Sequence, residues 1–226
     1  MLKPKLPHAV VLTFHDVIER RGPKSVWFDT TVDELEEILD AFKKANANFI
    51  RLADLRDAVA GRKSLPPRAV LITFADNYRG YGQLALPILL KRRVPSVQFV
   101  HTGFVGSKAG RPKLTWAELS SAMKTGYVEV QSQTVSHPAD LTTLSDPVLA
   151  KEFARSKEDL KRLGQPVYAV AYPNGKFDLR VALAAKASGY ELGFTERLTP
   201  VDRSPDAWRI GRYVHTKWRQ ALKEMK

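Results

Sequence analysis

Four short segments of this chain carry side chains that can bind a metal ion or move a proton. They are residues 13–16 (TFHD), 73–78 (TFADNY), 132–138 (SQTVSHP) and 171–175 (AYPNG). Imidazoles and carboxylates are the usual nitrogen and oxygen ligands of zinc-like ions, and they are also the commonest general acids and bases. Each segment ends or directly follows an apolar run. The pattern therefore indicates a hydrolytic or ligand-binding site built from the ends of several strands.

Apolar, strand-like runs alternate along the chain with segments of helical periodicity. The strand-like runs cover residues 9–17, 48–52, 69–74, 96–100, 128–132 and 167–172, and the ELGFT and RIGRYV stretches follow later. The helical segments cover residues 31–46, 55–60, 84–91, 116–124, 147–163, 179–188 and 217–226. Strands that are apolar throughout and separated by helices predict a parallel sheet covered by those helices. About seven or eight such repeats favour a closed α/β barrel over an open sheet, with functional residues at the carboxyl ends of the strands.

The first helical segment shows this periodicity clearly. Its apolar residues recur three or four positions apart, at Leu35, Ile38, Leu39 and Phe42. Either Thr31 or Asp33 can cap its amino end, because the oxygen of a short polar side chain accepts a hydrogen bond from a free backbone N–H.

Composition favours one domain over residues 1–226, since no shift in residue usage marks a boundary. The chain has no cysteine, which excludes disulfides and thiolate ligands. No apolar run reaches eighteen residues, so no transmembrane segment is predicted. The formal charge of +12 suits an anionic polymer as partner, but a solvated basic surface is the favoured explanation, because the basic residues are scattered along the chain. The N-terminal stretch is interpreted as leading into a first strand, so the protein is cytoplasmic as numbered or lies in the cell envelope if a signal peptide was removed.

The order and spacing of the segments resemble the polysaccharide deacetylases, also called the NodB-homology family or carbohydrate esterase family four. That family has T-F-D-D-G-Y after one strand, S-H-T-x-x-H-P about sixty residues later, and a P-Y-G turn beyond. Here the three appear as TFADNY, SQTVSHP and YPNG, and the likeness covers roughly residues 9–214. The resemblance implies a distorted (β/α) barrel of about seven parallel strands. It also implies hydrolysis of N-acetyl, or sometimes O-acetyl, groups on a glycan or cell-wall polysaccharide such as chitin, peptidoglycan or poly-N-acetylglucosamine.

The resemblance also implies roles for individual residues. In the family, one Asp and two His bind a divalent, zinc-like metal, which polarises the acetyl carbonyl and activates a water molecule. These positions correspond to Asp76, His137 and Gln133. The family's turn contributes a backbone N–H to the oxyanion site and shapes the sugar groove. It corresponds to Tyr172, Pro173, Asn174 and Gly175, which are the expected substrate-binding residues.

Several positions depart from the family pattern. The first Asp of the D-D pair acts as the base in the family, and here it is Ala75, which cannot accept a proton. The first metal His is Gln133, whose amide is a poor ligand for zinc-like ions, so we expect weak metal binding or none. The family's Gly and Tyr are replaced by Asn77 and Asn174. His15 and Asp16, at the end of the first strand, are the candidate substitute bases.

Two functional hypotheses follow from this pattern. In the first, the protein is a deacetylase-like hydrolase with impaired or altered activity. In the second, it is a non-catalytic descendant that binds glycan or another anionic polymer in the same groove. Structural roles remain open for single residues, since Asp76 can cap the following helix and His137 can simply hydrogen-bond within its loop. Both hypotheses predict that His15, Asp76, Gln133 and His137 meet at one end of a barrel.

Overall fold

The computed structural model describes residues 5–226, and it consists of a parallel sheet with helices packed against it. The strands are β1 (Val10–Phe14), β2 (Val17–Ile18), β3 (Thr30–Thr31), β4 (Asn48–Phe49), β5 (Ala69–Phe74), β6 (Ser96–Val100), β7 (Val128–Ser132), β8 (Ala169–Ala171), β9 (Leu192–Phe194) and β10 (Tyr213–Val214). The helices are α1 (Val32–Lys44), α2 (Leu52–Val59), α3 (Leu86–Lys91), α4 (Trp116–Lys124), α5 (Asp146–Leu160), α6 (Leu179–Ala187) and α7 (Trp218–Glu224). The predicted alternation of strands and helices is therefore confirmed.

The main sheet has the strand order β10-β1-β5-β6-β7-β8-β9. The short strand β4 pairs with the first two residues of β5, Ala69 and Val70. Every pairing in the main sheet is parallel, as strands connected through helices require. The sheet curls into a half-barrel, which confirms the distorted barrel of about seven strands. The sheet is not fully closed, contrary to the closed barrel favoured by the repeat count. Among the described residues, β9 is joined to the segment leading into β10 by a single bridge, from Phe194 to Ile210.

Alternate residues of each strand enter two different cores, because successive side chains of a strand point to opposite faces. On β1, Val10, Leu12 and Phe14 pack towards the outer helices, whereas Val11 joins the cluster inside the curled sheet. All five β1 residues and all six β5 residues are buried. These strands are apolar on both faces because both faces are covered, which explains their continuous apolar runs.

The structure fixes the boundaries of three elements that the sequence predicts only approximately. Thr31, one of the two predicted caps, caps α1 in a capping box with Glu34. The first strand ends at Phe14 rather than at residue 17, because the backbone leaves the sheet at His15 and Asp16 before the short strand β2. The helix expected over residues 84–91 begins earlier, as a π-helical turn over Tyr81–Ala85 that runs into α3. Within residues 5–226, no helix has the length and apolar character needed to cross a bilayer.

Candidate active site

The predicted site residues follow strands that are neighbours in the sheet. Phe14 of β1 pairs with Phe74 of β5, and Val100 of β6 pairs with Ser132 of β7. The residues after these strand ends therefore share one edge of the half-barrel, called here the mouth. The mouth brings together Asp76 with Gln133 and His137, and it adds His101, which directly follows β6.

Asp76, Gln133 and His137 form a connected polar group. The Gln133 Oε1 accepts a 2.7 Å hydrogen bond from the Asp76 backbone N–H. Its Nε2 lies 3.3 Å from His137 Nε2, which in turn lies 3.2 Å from Asp76 Oδ1. Gln133 therefore tethers the loop after β5 to the loop after β7. Its carbonyl oxygen, the atom that would have to bind a metal, is already used by a backbone donor.

Two further side chains contact the Asp76 backbone at its carbonyl oxygen. His101 Nε2 and Lys113 Nζ each lie 2.9 Å from the Asp76 carbonyl oxygen. Neither residue was a sequence candidate. The rule that singled out the other strand ends applies to His101 as well, since it directly follows β6. Lys113 lies in the loop before α4, and no pattern in the sequence signals it.

The backbone of the mouth is held in unusual conformations. Asp76 and Asn77 have φ values of 66° and 40°, and Thr134 and His137 have values of 67° and 50°. Such left-handed conformations are uncommon outside glycine and are costly for a β-branched residue such as Thr134. They persist only where surrounding contacts enforce them, and they concentrate at functional sites. Asn77 stands where the family has glycine and keeps the backbone in the left-handed region, which asparagine tolerates best after glycine.

The electrostatics of the mouth favour an ionised Asp76 beside neutral imidazoles. Burial by itself raises the pKa of Asp76, but the hydrogen bond with His137 and the electrostatic influence of the neighbouring imidazoles outweigh it, and the pKa lies well below its usual range. Burial lowers the pKa of His101 to about 4, with Lys113 adding to the effect. Burial also lowers the pKa of His15. At neutral pH, the imidazoles of His15 and His101 are therefore uncharged.

His15 and Asp16 lie in different surroundings. The Nδ1 of His15 is buried and has no hydrogen-bond partner, and the ring faces Trp27 and Phe28. The carboxylate of Asp16 instead pairs with Arg111, with Nη1 3.0 Å from Oδ2. Burial raises the pKa of Asp16, although the Arg111 charge opposes it. Arg111 therefore engages one oxygen of Asp16, whereas the Nδ1 of His15 has no hydrogen-bond partner.

The turn after β8 places its backbone, rather than the tyrosine side chain, at the mouth. Tyr172 is fully buried and donates a 2.8 Å hydrogen bond to the Trp208 carbonyl oxygen. Asn174, at φ 55°, donates from Nδ2 to the Ala139 carbonyl oxygen at 3.1 Å. With Gly175 it lines a polar cleft of about 600 Å³, which also includes Glu196. The cleft is large enough for a sugar residue.

A fully buried arginine lies beneath the mouth. Arg212 donates from Nε to the Thr195 carbonyl oxygen at 3.0 Å and from Nη1 to Thr13 Oγ1 at 3.2 Å. Its Nη2 lies 3.8 Å from Glu196 Oε1. Burial lowers the pKa of Arg212, while Glu196 and Asp76 oppose that shift. The group supplies fixed positive charge under the site, and no motif in the sequence indicates it.

The donors present do not fit the three-ligand metal site that the family implies. Asp76 Oδ1 is buried and lies 3.2 Å from His137 Nε2, so these two atoms supply one carboxylate and one imidazole donor. The third donor is an amide whose oxygen is engaged. In the part of the chain that the structure describes, no cluster of three or more His, Asp or Glu residues could hold a metal ion. A zinc-like ion normally takes at least three protein ligands.

Comparison with known proteins gives a consistent result. The family model for polysaccharide deacetylase matches residues 62–193. The poly-beta-1,6-N-acetyl-D-glucosamine N-deacetylase of Staphylococcus epidermidis is 26% identical, with 94% of this chain and 81% of that protein covered. A Bacillus subtilis relative named as a polysaccharide deacetylase, YxkH, is 26% identical over 146 residues, and the match spans only 50% of its length.

Solved structures share the fold over nearly the whole chain. IcaB from Ammonifex degensii has a TM-score of 0.85 at 27% sequence identity, with 97% of each chain covered. The Streptococcus pyogenes deacetylase PplD has a TM-score of 0.87 at 22% identity, which shows a common fold. Because the family model covers more than half of the sequence, these findings show that this chain belongs to the polysaccharide deacetylase family.

Proposed function

We propose that the protein hydrolyses N-acetyl groups on a glycan, at a rate much reduced by the loss of the family's base and of one metal ligand. The observation that carries the proposal is the ionised Asp76 beside His137 and a neutral, unpartnered His15, all at the strand ends of the half-barrel. The Staphylococcus epidermidis relative is named for poly-beta-1,6-N-acetyl-D-glucosamine, which suggests a polymer of N-acetylglucosamine as the substrate class.

The reaction requires a base for water and stabilisation of the oxyanion that forms. His15 takes the proton as the water oxygen bonds to the acetyl carbon. The charge that develops on the carbonyl oxygen is stabilised by the backbone N–H of Asn174 and by the ammonium of Lys113, because the Gly175 and Lys176 N–H groups already donate to backbone carbonyls. Burial lowers the pKa of Lys113 to about 8, so the amine is still largely protonated at pH 7. The C–N bond then breaks, the leaving amine takes the proton back from His15, and acetate is released.

The assay is acetate release from a β-1,6-linked N-acetylglucosamine pentasaccharide, with and without added Zn²⁺, Co²⁺ or Ni²⁺. We expect slow turnover that His15→Ala lowers by about 10²-fold, at the lower end of what base catalysis contributes. Asp16→Asn is the matched control, since its carboxylate is bound by Arg111, and it should change turnover little. If Asp16→Asn abolishes turnover while His15→Ala does not, the base is Asp16 and not His15. Robust turnover that survives both changes contradicts the substitute-base mechanism altogether.

One observation favours a non-catalytic role as the second candidate. Gln133 bonds the Asp76 backbone N–H and lies 3.3 Å from His137 Nε2, so it ties the two loops together through contacts inside the protein. Such a site can retain its shape for binding without activating water. In that case the mouth, together with the net charge of +12, binds a glycan or another anionic polymer. Measurable glycan affinity with no acetate release under any metal condition supports this candidate over the enzyme.

A further inference from the structure

Trp27 is held on the surface beside the mouth. Its side chain is 61% exposed, the highest value among the large apolar residues that the structure describes. It lies in the loop between β2 and β3, and the charged residues Arg20, Arg21 and Lys24 of that loop are exposed around it. A single exposed apolar residue is ordinary on a protein surface. Its meaning here depends on what surrounds it and how firmly it is fixed.

A row of aromatic rings connects Trp27 to the site. The Trp27 and Phe28 rings meet edge to face, with centroids 5.7 Å apart at 86°. Phe28 stacks on Tyr78, with centroids 5.9 Å apart at 15°, and Tyr78 lies two residues after Asp76. The Trp27 ring also lies 6.0 Å from the His15 ring. The exposed indole is therefore a direct neighbour of the proposed reaction centre.

A buried ion pair fixes the loop that carries Trp27. Asp29 is fully buried, and its Oδ2 accepts hydrogen bonds from the Val26 backbone N–H at 2.8 Å and from Arg111 at 2.9 Å. The Arg111 guanidinium also contacts Asp16 and lies 5.3 Å from the centre of the Phe28 ring. A buried carboxylate is stable only when it is paired and hydrogen-bonded, so these contacts restrict the loop strongly. The backbone that carries Trp27 is thus fixed before any ligand arrives.

A rigid exposed indole beside polar donors matches the chemistry of a sugar ring. One face of a pyranose presents C–H groups that pack on an aromatic face, while its hydroxyl and acetamide groups need hydrogen-bond partners. Lys113 supplies a donor nearby, with its Nζ 3.4 Å above the Tyr78 ring. A lipid or protein surface would instead require a continuous apolar patch, and the exposed basic residues interrupt one here.

We propose that Trp27 is the platform of a second sugar subsite, which binds the residue next to the reacting N-acetylhexosamine in a linear glycan. The identity of the ligand rests on the proposed function. The platform itself requires only that the mouth binds a glycan chain. In this arrangement the reacting residue lies against Asp76 and His137, and the residue next to it packs on Trp27. The contribution of Trp27 to affinity must therefore depend on chain length.

The test is a calorimetric titration of the full chain with β-1,6-linked and β-1,4-linked N-acetylglucosamine pentasaccharides, alongside NMR detection of monosaccharide binding. Covering about 50–60 Å² of apolar ring at about 25 cal/mol per Å² corresponds to about tenfold in dissociation constant. We expect Trp27→Ala to weaken pentasaccharide binding about tenfold and to leave monosaccharide binding unchanged. Trp27→Phe should retain most of the affinity, because it keeps an aromatic face.

The matched control is Leu183→Ala, which removes another apolar side chain, 54% exposed, from α6 at a different cavity of the protein. It should bind both pentasaccharides like the wild type. Pentasaccharide affinity that is unchanged in Trp27→Ala, or a wild type that binds neither pentasaccharide, overturns the platform. A Trp27-dependent gain with chain length in the absence of acetate release supports the platform and contradicts only the hydrolytic function.

Discussion

Introducing aspartate at position 75 and histidine at position 133, the residues of the family motif, should raise the proposed release of acetate sharply. The perturbation is the double variant Ala75→Asp with Gln133→His. Residue 75 lies two positions beyond Thr73, so it faces the same side of the sheet. Thr13, the register partner of Thr73, contacts the buried Arg212. A carboxylate at position 75 is therefore placed above a fixed guanidinium, which offsets much of the cost of burying it.

The expected magnitude follows from the role that the new groups take. A positioned base contributes about 10²–10⁴-fold, equal to about 2.7–5.5 kcal/mol of activation free energy. The histidine introduced at position 133 adds an imidazole to Asp76 and His137, which completes three protein ligands for a zinc-like ion. The two gains are not additive, because groups that act on one water molecule work as a unit. We therefore expect an increase of at least about 10² in kcat for the double variant in the presence of metal.

The assay is acetate release from the N-acetylglucosamine pentasaccharide, with elemental analysis of each purified protein. The single variants are the controls. Ala75→Asp alone lacks the third ligand, and Gln133→His alone lacks the base, so each should fall well short of the double variant. A double variant that is folded and holds one metal ion per chain but shows no gain in turnover refutes the reasoning. The groove would then have lost the shape that the substrate requires, with Asn77 and Asn174 as the first positions to revert.

The remaining predictions concern stability. In Gly80→Ala, the new methyl group would overlap the Val17 carbonyl oxygen and the Asp16 carboxylate. We therefore expect the free energy of unfolding, measured with urea, to fall by at least about 1–3 kcal/mol. An unchanged urea midpoint would refute this packing. Burial lowers the pKa of His215 from 6.5 to about 4. As the pH falls from about 6.5 to 4, the unfolded chain therefore takes up a proton that the folded chain does not, and stability is lost. His215→Leu should remove up to about 1.4 kcal/mol per pH unit of this loss, and an unaltered pH slope would contradict it.

The fold and the location of the site could be predicted from the sequence because both depend on local patterns. Apolar runs such as residues 69–74 specify strands, and the parallel arrangement then places Asp76 and His137 at a common end. The register could not be predicted in the same way, because it depends on which side chains fill the interior. The buried Arg212 occupies part of that interior, and its role in the half-barrel is set by partners far away in the sequence.

The contacts within the mouth were also beyond the sequence pattern. The substitution of Gln for His at position 133 indicated a lost ligand, but not that its amide would bond the Asp76 N–H. Lys113 comes from a loop with no motif, and Trp27 from one with no periodicity. Their positions result from cation–aromatic contacts and a buried ion pair, which arise only when distant segments pack together.

The left-handed backbone around Asp76, Asn77, Thr134 and His137 has a consequence for the stability of the mouth. A residue other than glycine in that region costs about 1–2 kcal/mol, and the chain bears that cost at several neighbouring positions. The contacts that hold the two loops, such as the hydrogen bond from the Asp76 N–H to Gln133, must offset that cost for the conformation to persist. Removing one of these contacts should therefore change the backbone of both loops, and not only the side chain that is replaced.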